Sequence, residues 1–301
     1  MNINLVRNGV FPITKTASGE DIESLPSTGY FFPGTLQGEG KLAGIPVLFI
    51  RTSGCNLRCT WTTTEGEISI CDTPYASHHT DEIEQWKIGD IVSTLKSNLG
   101  NIRHIVISGG EPTIQPKPLI ALAKQLKREL GVHNTMETNG VLFIPELVTY
   151  IDLFSISPKL KSSEPDNEKN LGLDNPVEEN YIQDHRKFRR NTDTLQKYIN
   201  ACMNFGSYYG EQPGSSPERK STKDFQLKFV ISREEDLDEI RSDFLEPLSF
   251  VNREDVILMP VGATPELLRK TTDLTARLAI QYGYRFTPRL QINLFGDMAG
   301  T

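Results

Sequence analysis

Pro46-Val47-Leu48-Phe49-Ile50-Arg51-Thr52-Ser53-Gly54-Cys55-Asn56-Leu57-Arg58-Cys59 is an apolar run of strand length that passes through a glycine into two cysteines. Residues 47–51 read as a buried strand that delivers a reactive loop at its C-terminal end. Outward from it the pattern alternates. Strands are expected at 104–108, 134–137, 153–157, 226–231 and 256–259. Helices are expected at 80–99, opened by a Thr80/Asp81 cap, and at 116–130, 145–150, 234–245 and 265–282. Repeated strand–helix units need right-handed crossovers and give a parallel sheet. About six strands fit a partial parallel β/α barrel better than a closed eight-stranded one.

Two stretches stand outside this rhythm. Residues 1–33 are polar and turn-rich and read as an N-terminal arm whose apolar patch at 30–32 packs back on the domain formed by 34–301. Residues 160–224 carry Ser, Asn, Asp, Glu, Lys and Pro and read as an insertion, with a helix at 178–205 and a turn-rich remainder at 206–223. It leaves one strand end and returns at the next strand, so it belongs over the rim that holds the strand-end loops, and a surface excursion is the preferred reading. There are no internal repeats.

At 301 residues, 37% hydrophobic and 24% charged, the chain can bury a core and is neither low-complexity nor disordered. A net charge of −7 argues against a broad polyanion-binding face, so no nucleic-acid partner is expected. No apolar run approaches the ~20 residues of a bilayer-spanning helix, and the start lacks a basic segment followed by an apolar one. No membrane association and a cytoplasmic location are the expectation. Four cysteines are too few for a disulfide framework; Cys55, Cys59 and Cys71 fall within 17 residues and Cys202 stands alone.

Three thiolates from one post-strand loop can hold three irons of a cubane cluster and leave the fourth open. A tetrahedral zinc site completed by His78 or His79, or simple packing, would use the same cysteines. After the strand at 104–108 comes Ser108-Gly109-Gly110-Glu111-Pro112. The glycines let the backbone approach a small charged ligand, and Glu111 could hold an ammonium. A tight strand-to-helix turn is the plainer reading.

Together these motifs resemble the radical S-adenosylmethionine superfamily. More narrowly, Leu36-Gln37-Gly38-Glu39-Gly40, residues 49–59, Cys71-Asp72-Thr73-Pro74-Tyr75, Glu137-Thr138-Asn139-Gly140, Ser157-Pro158-Lys159 and Leu227-Lys228-Phe229-Val230 resemble the family of 7-carboxy-7-deazaguanine synthases. The resemblance spans residue 34 to the end, apart from the insertion. It implies a radical SAM partial barrel, a [4Fe-4S] cluster, S-adenosyl-L-methionine and Mg2+. The implied reaction takes hydrogen from C6 of 6-carboxy-5,6,7,8-tetrahydropterin, contracts the ring, expels ammonia and regenerates S-adenosylmethionine. A flavodoxin-type or other low-potential electron donor and a homodimer are implied with it.

Carried over by position, the resemblance gives the cluster to Cys55, Cys59 and Cys71 and a Mg2+ contact to Thr73. S-adenosylmethionine falls to Gly110, Glu111, Ser157, Lys159, Met259 and Gly262. The pterin falls to Leu36, Gln37, Gly38, Arg51, Ser108, Gln291 and Thr301, with Arg51 on its carboxylate; no catalytic residue is assigned beyond the cluster and S-adenosylmethionine. Two positions depart from the pattern. Thr62 stands where the superfamily's usual spacing places the third cysteine, with nine residues, 62–70, inserted before Cys71. Gln291 stands where the family often has His, and a Gln amide cannot titrate near neutrality. A glycyl-radical-enzyme activase with the same cluster, or a non-catalytic zinc-binding module, are the alternatives.

Overall fold

Short apolar strands that alternate with helices satisfy their backbone hydrogen bonds as a parallel sheet, and the computed structural model, which describes residues 1–78, 82–204 and 222–301, is built on one. The chain opens with β1 (Asn2–Phe11), β2 (Thr35–Leu36) and β3 (Pro46–Thr52). A separate hairpin, β4 (Thr60–Thr62) and β5 (Ile68–Ile70), is followed by the short α1 (Pro74–Ser77), then β6 (Ile83–Lys87) and α2 (Ile88–Asn98). Next come β7 (His104–Gly109), α3 (Pro116–Gln125), β8 (His133–Thr138) and β9 (Leu153–Ile156). After α4 (Asn167–Asn170), α5 (Glu179–Phe188) and α6 (Thr192–Asn204) the chain returns in β10 (Asp224–Ile231) and α7 (Asp236–Glu239). It ends with β11 (Val256–Pro260), α8 (Pro265–Tyr282), β12 (Arg285–Phe286) and α9 (Leu290–Phe295).

Strands β3, β7, β8, β9, β10 and β11 pair in that order, all parallel, and β12 extends the far edge. This is the expected partial barrel of about six parallel strands. Ile107, Met136, Phe154, Leu227 and Leu258, one from each of five strands, join Leu119 and Leu122 of α3 in one core. Because the six strands run one way, their C-terminal ends gather on one rim.

Four segments differ from the sequence reading, the first being residues 30–32, expected to pack back on the domain and instead exposed. Residues 2–11, placed in the arm, form β1, antiparallel to both β3 and β6 with Ile3, Leu5 and Val10 buried. Asn8-Gly9 imitates a turn but forms an irregularity inside the strand, with Asn8 at φ +55. Residues 83–87 are a strand rather than the first turns of a helix, because β6 gains a partner in β1 from the distant N-terminus; Thr80 and Asp81, the expected cap, lie outside the described residues. Between β9 and β10 the expected single helix is two. Of these, α6 buries Leu195, Tyr198, Ile199 and Cys202 in the main core, so part of the supposed surface excursion is the crossover that two parallel strands require. The turn-rich remainder falls largely outside the described residues.

At the rim opposite the strand-end loops, His104 of β7 and His133 of β8 are register partners with ring centroids 4.6 Å apart. Burial lowers both pKa values against the opposing pull of Asp152, and at His133 the neighbouring His104, Lys127 and Lys223 add to the lowering. The unfolded chain, with imidazoles near ~6.5, therefore takes up protons first as pH falls. The stabilisation is complete above that value and is lost as pH drops toward the depressed folded values. Thermal melts should show Tm falling from pH 7 to pH 5, and His104→Gln with His133→Gln should flatten that fall; an unchanged slope in the double variant would remove these imidazoles from the account.

Candidate active site

A cavity of about 250 Å³ opens at the C-terminal ends of the six strands. Its wall includes every residue assigned above to cluster, Mg2+, S-adenosylmethionine or pterin, with the single exception of Glu111.

The cysteine loop leaves β3 through Gly54, whose φ of +93 suits glycine, and carries Cys55 and the buried Cys59. The nine extra residues do not separate Cys59 from Cys71. They fold into the β4–β5 hairpin, with Thr60 opposite Ile70 and Thr62 opposite Ile68, and the Cys71 N–H donates to the Cys59 carbonyl at 3.1 Å. A hairpin keeps the two cysteines adjacent because its two ends emerge side by side. Leu57, Cys59, Trp61, Val141 and Val261 form a small apolar cluster under the loop.

Burial pushes the Cys55 thiol up to about 12, helped by the Glu111 charge, and raises Cys59 further, although Lys159 opposes the shift. Thiolates in this wall therefore need a cation against them, which iron supplies. Among the described residues no three His, Cys, Asp or Glu side chains are grouped to hold one metal ion, as a tetrahedral zinc centre demands. Cys55, Cys59 and Cys71 all line the one cavity, and three thiols are the donor set of a cubane with one open iron. His78 Nδ1 is hydrogen-bonded to Ser77 Oγ at 2.8 Å, while His79 lies outside the described residues.

The two glycines at the end of β7, Gly109 and Gly110, have a packing reason. A Cβ on Gly110 would stand 2.2 Å from the Gly54 carbonyl oxygen and 2.5 Å from that of Ala76, and one on Gly109 2.2 Å from Thr52 Oγ1. The Gly110 and Glu111 N–H groups donate to the Thr52 and Gly54 carbonyls, fastening the cysteine loop to β7. Glu111, expected to hold an ammonium, lies behind the cavity wall. Its carboxylate is fully buried and accepts from Thr113 N (3.0 Å), Thr113 Oγ1 (2.6 Å), Thr138 Oγ1 (2.8 Å) and Asn139 N (2.6 Å). Three of these bonds fall on Oε1 and one on Oε2, and they tie β7 to the end of β8, behind the cavity wall.

The sequence reading gave no role to four charged residues that dominate the site. Glu39, its side chain 11% exposed, meets Lys228 of β10, Arg289 Nε at 3.1 Å and Gln291 Nε2 at 2.9 Å. Arg289 also binds Asp72, beside the third cysteine, and the Gly262 carbonyl. Burial alone would raise Glu39, yet Lys228 and Arg289 hold its carboxyl far below the usual range. Glu39 and Lys228 were within quoted motifs, but only the fold brings them together. Glu137, also quoted without a role, accepts from Ser108 Oγ at 2.7 Å and Gln37 Nε2 at 3.3 Å.

The remaining expected residues take distinct places. Arg51 lies over the rings of Phe11 (5.4 Å) and Tyr75 (6.0 Å), and its Nε has no hydrogen-bond partner among the described residues. Gln291 Oε1 is likewise buried without one, and it fills the space where a Cβ on Gly38 would go. Lys159 Nζ meets Ser157 Oγ at 2.8 Å, and Thr73 Oγ1 is 3.5 Å from Cys71 Sγ. Thr301 is buried, in a tail tied to the N-terminal segment through Ser27 Oγ and the Gly300 carbonyl.

The family model of the Radical SAM superfamily matches residues 49–210. The chain is 33% identical over 299 residues to the 7-carboxy-7-deazaguanine synthase of Halobacterium salinarum, covering 96% of this chain and 100% of that protein. It is 34% identical over 265 residues to the enzyme of the same name from Rhodopirellula baltica, covering 88% and 85%. The crystal structure of QueE from Escherichia coli shares the fold at a TM-score of 0.51 and 18% identity, over 93% of this chain and 94% of that one.

Replacing Cys55, Cys59 or Cys71 with Ala should abolish iron retention after anaerobic reconstitution. Cys202→Ala, altering a thiol buried on α6 in the main core, should keep it. Iron analysis reads the outcome, and retention in Cys71→Ala with loss in Cys202→Ala would reverse the assignment.

Proposed function

This chain belongs to the 7-carboxy-7-deazaguanine synthase family of the radical SAM superfamily, and from that premise we propose how its cavity is divided between cofactors and substrate. The reaction converts 6-carboxy-5,6,7,8-tetrahydropterin to 7-carboxy-7-deazaguanine with loss of ammonia, a lyase step toward queuosine-type 7-deazapurines. A [4Fe-4S] cluster and S-adenosylmethionine, when bound, supply the one-electron chemistry that begins with removal of a hydrogen atom from the pterin.

In this reading Cys55, Cys59 and Cys71 hold the cluster. Gly110, Ser157, Lys159, Met259 and Gly262 form the S-adenosylmethionine side, where Lys159 offers a cation to the methionyl carboxylate and Gly110 lets backbone come close. Glu111 is left out because it does not line the cavity and its carboxylate is engaged by Thr113, Thr138 and Asn139.

On the other side, Arg51 presents a planar guanidinium to the pterin carboxylate, a match that favours Arg over Lys. Glu137, oriented by Ser108 and Gln37, accepts N–H groups from the pterin ring, and Gln291 Oε1 offers one more acceptor. Leu36, Gly38 and Thr301 complete the wall. The Thr73 hydroxyl would supply one oxygen ligand to a Mg2+, which would help to seat the substrate carboxylate. The buried walls exclude water from the reacting ring.

Arg51 carries the reading: it stands in the same cavity as three thiols, stacked on two rings, with Nε free of protein partners among the described residues. A flavodoxin-type electron donor, a homodimer and a cytoplasmic location complete the proposal; no helix among the described residues is long and apolar enough to cross a membrane, and all four cysteines are free thiols, which suits a reducing compartment.

Arg51→Gln should lower kcat/KM for the carboxypterin by roughly tenfold to a hundredfold, the worth of a charge-assisted hydrogen bond, while uncoupled cleavage of S-adenosylmethionine continues. Parallel product and cleavage assays measure the split. Equal loss of both activities would place Arg51 with the cysteine loop instead of the substrate.

A further inference from the structure

The two segments that break the expected pattern, the hairpin inside the cysteine motif and residues 160–189, pack against each other. Three groups of observations describe the contact. First, Lys169 of α4 spends its ammonium on three backbone carbonyls: Ser162 and Thr60 at 2.8 Å each, and Glu164 at 2.5 Å. Thr60 is the residue that follows Cys59, so this cation joins the start of the hairpin to the segment after β9.

Second, His185 of α5 is completely buried, and its Nδ1 accepts the Arg58 backbone N–H at 3.2 Å. Its Nε2 meets Ser163 Oγ at 3.2 Å, and the Ser163 hydroxyl donates to the Leu160 carbonyl at 2.7 Å. With the Ser163 proton committed to Leu160, its oxygen is the acceptor for Nε2–H, which leaves the Nδ1 lone pair for Arg58. Burial, reinforced by Lys159 and Arg189, pushes His185 down to about 3, so the ring stays neutral.

Third, Tyr181, one turn earlier on the same helix, lies under the Arg58 guanidinium at 4.3 Å, while Arg58 Nη1 donates to the carbonyls of Cys55 (2.8 Å) and Leu57 (3.0 Å). One helix thus grips Arg58, between two of the cysteines, by both main chain and side chain. The grip is anchored at its far side, where Arg189 binds Glu164 and Glu239 of α7.

We propose that residues 160–189 are a brace that sets the geometry of the three-cysteine loop, with His185 and Lys169 as its positioning residues. A cysteine loop lengthened by nine residues has more conformations to lose when it closes on a cluster. The brace removes that freedom from the loop's two critical points, the amide before Cys59 and the carbonyl after it. The inference rests on the assignment of Cys55, Cys59 and Cys71 to the cluster, and neither His185 nor Lys169 touches cluster or substrate.

The test measures how fast a chelator strips iron from the reconstituted, reduced full-length protein, together with the electron paramagnetic resonance spectrum of the reduced cluster. His185→Phe fills the ring volume but leaves the Arg58 N–H unpaired. It should lose iron roughly tenfold faster, the cost of one buried hydrogen bond left unmade, with an altered spectrum. His185→Asn places an amide oxygen near the Nδ1 position and should restore both readouts. Lys169→Met should also speed iron loss, and it reads the same outcome should His185→Phe fail to accumulate. Ile182→Ala, which trims a buried apolar contact on the same helix, should lower Tm while leaving the iron-loss rate and spectrum near wild type. Wild-type iron retention in both His185→Phe and Lys169→Met, or equal acceleration in Ile182→Ala, would overturn the brace. A wild-type protein that assembles no cluster would instead overturn the cysteine assignment.

Discussion

Glu39 is an almost buried carboxylate shared by Lys228, Arg289 and Gln291, and Arg289 passes the connection on to Asp72. A charge taken out of water costs several kcal/mol unless its partners are close and its lone pairs filled, and removal of one partner strands the other at ~3–5 kcal/mol. That penalty makes the cluster of charges an all-or-none lock. It joins four segments that are far apart in sequence: the crossing segment after β2, the C-terminal half of β10, the chain before α9 and the loop of the third cysteine. Substrate wall and cluster loop are therefore held in one arrangement.

The lock works because the half-barrel would otherwise be open at its side. Thr35 and Leu36 pair with β3, yet the Gly40 N–H donates to Thr287 Oγ1 and Lys41 reaches Asp224, the Phe225 carbonyl and Asp255, at the far end of the sheet. Residues 35–41 thus cross between strands that three others separate. Gly40 stands at φ +78, which favours glycine, and a Cβ there would meet the Gln226 amide. Closure walls the strand ends on that side into a cavity, which helps to shield chemistry on a reactive ring.

Much of this was legible in the sequence because it is local. The bounds of α8 follow from Pro265 at its start, the Thr264 cap and Gly283 at its end, and the parallel strands follow from apolar runs with helices between them. The cysteines, Arg51, Ser108 and Gln291 fell on strand ends or in segments that the fold returns to the same rim. What was not legible depends on distant partners. Asn8-Gly9 looks like a turn until β3 and β6 flank it. Glu111 looks available until Thr138 and Asn139 arrive from β8. His185 lies in a polar segment with no motif, and its role exists only because α5 packs over Arg58. Residues 62–70 could be read as an insertion that keeps Cys71 with the other two cysteines, but not as the hairpin that brings it there.

The central claim is that one cavity brings three thiols and a carboxypterin seat together for a single radical reaction. Its most direct measurement is anaerobic incubation of the reconstituted protein with reductant, S-adenosylmethionine, Mg2+ and 6-carboxy-5,6,7,8-tetrahydropterin, followed by mass detection. The account predicts 7-carboxy-7-deazaguanine accumulating over many turnovers without matching consumption of S-adenosylmethionine. Cleavage of S-adenosylmethionine with the pterin recovered unchanged would contradict it.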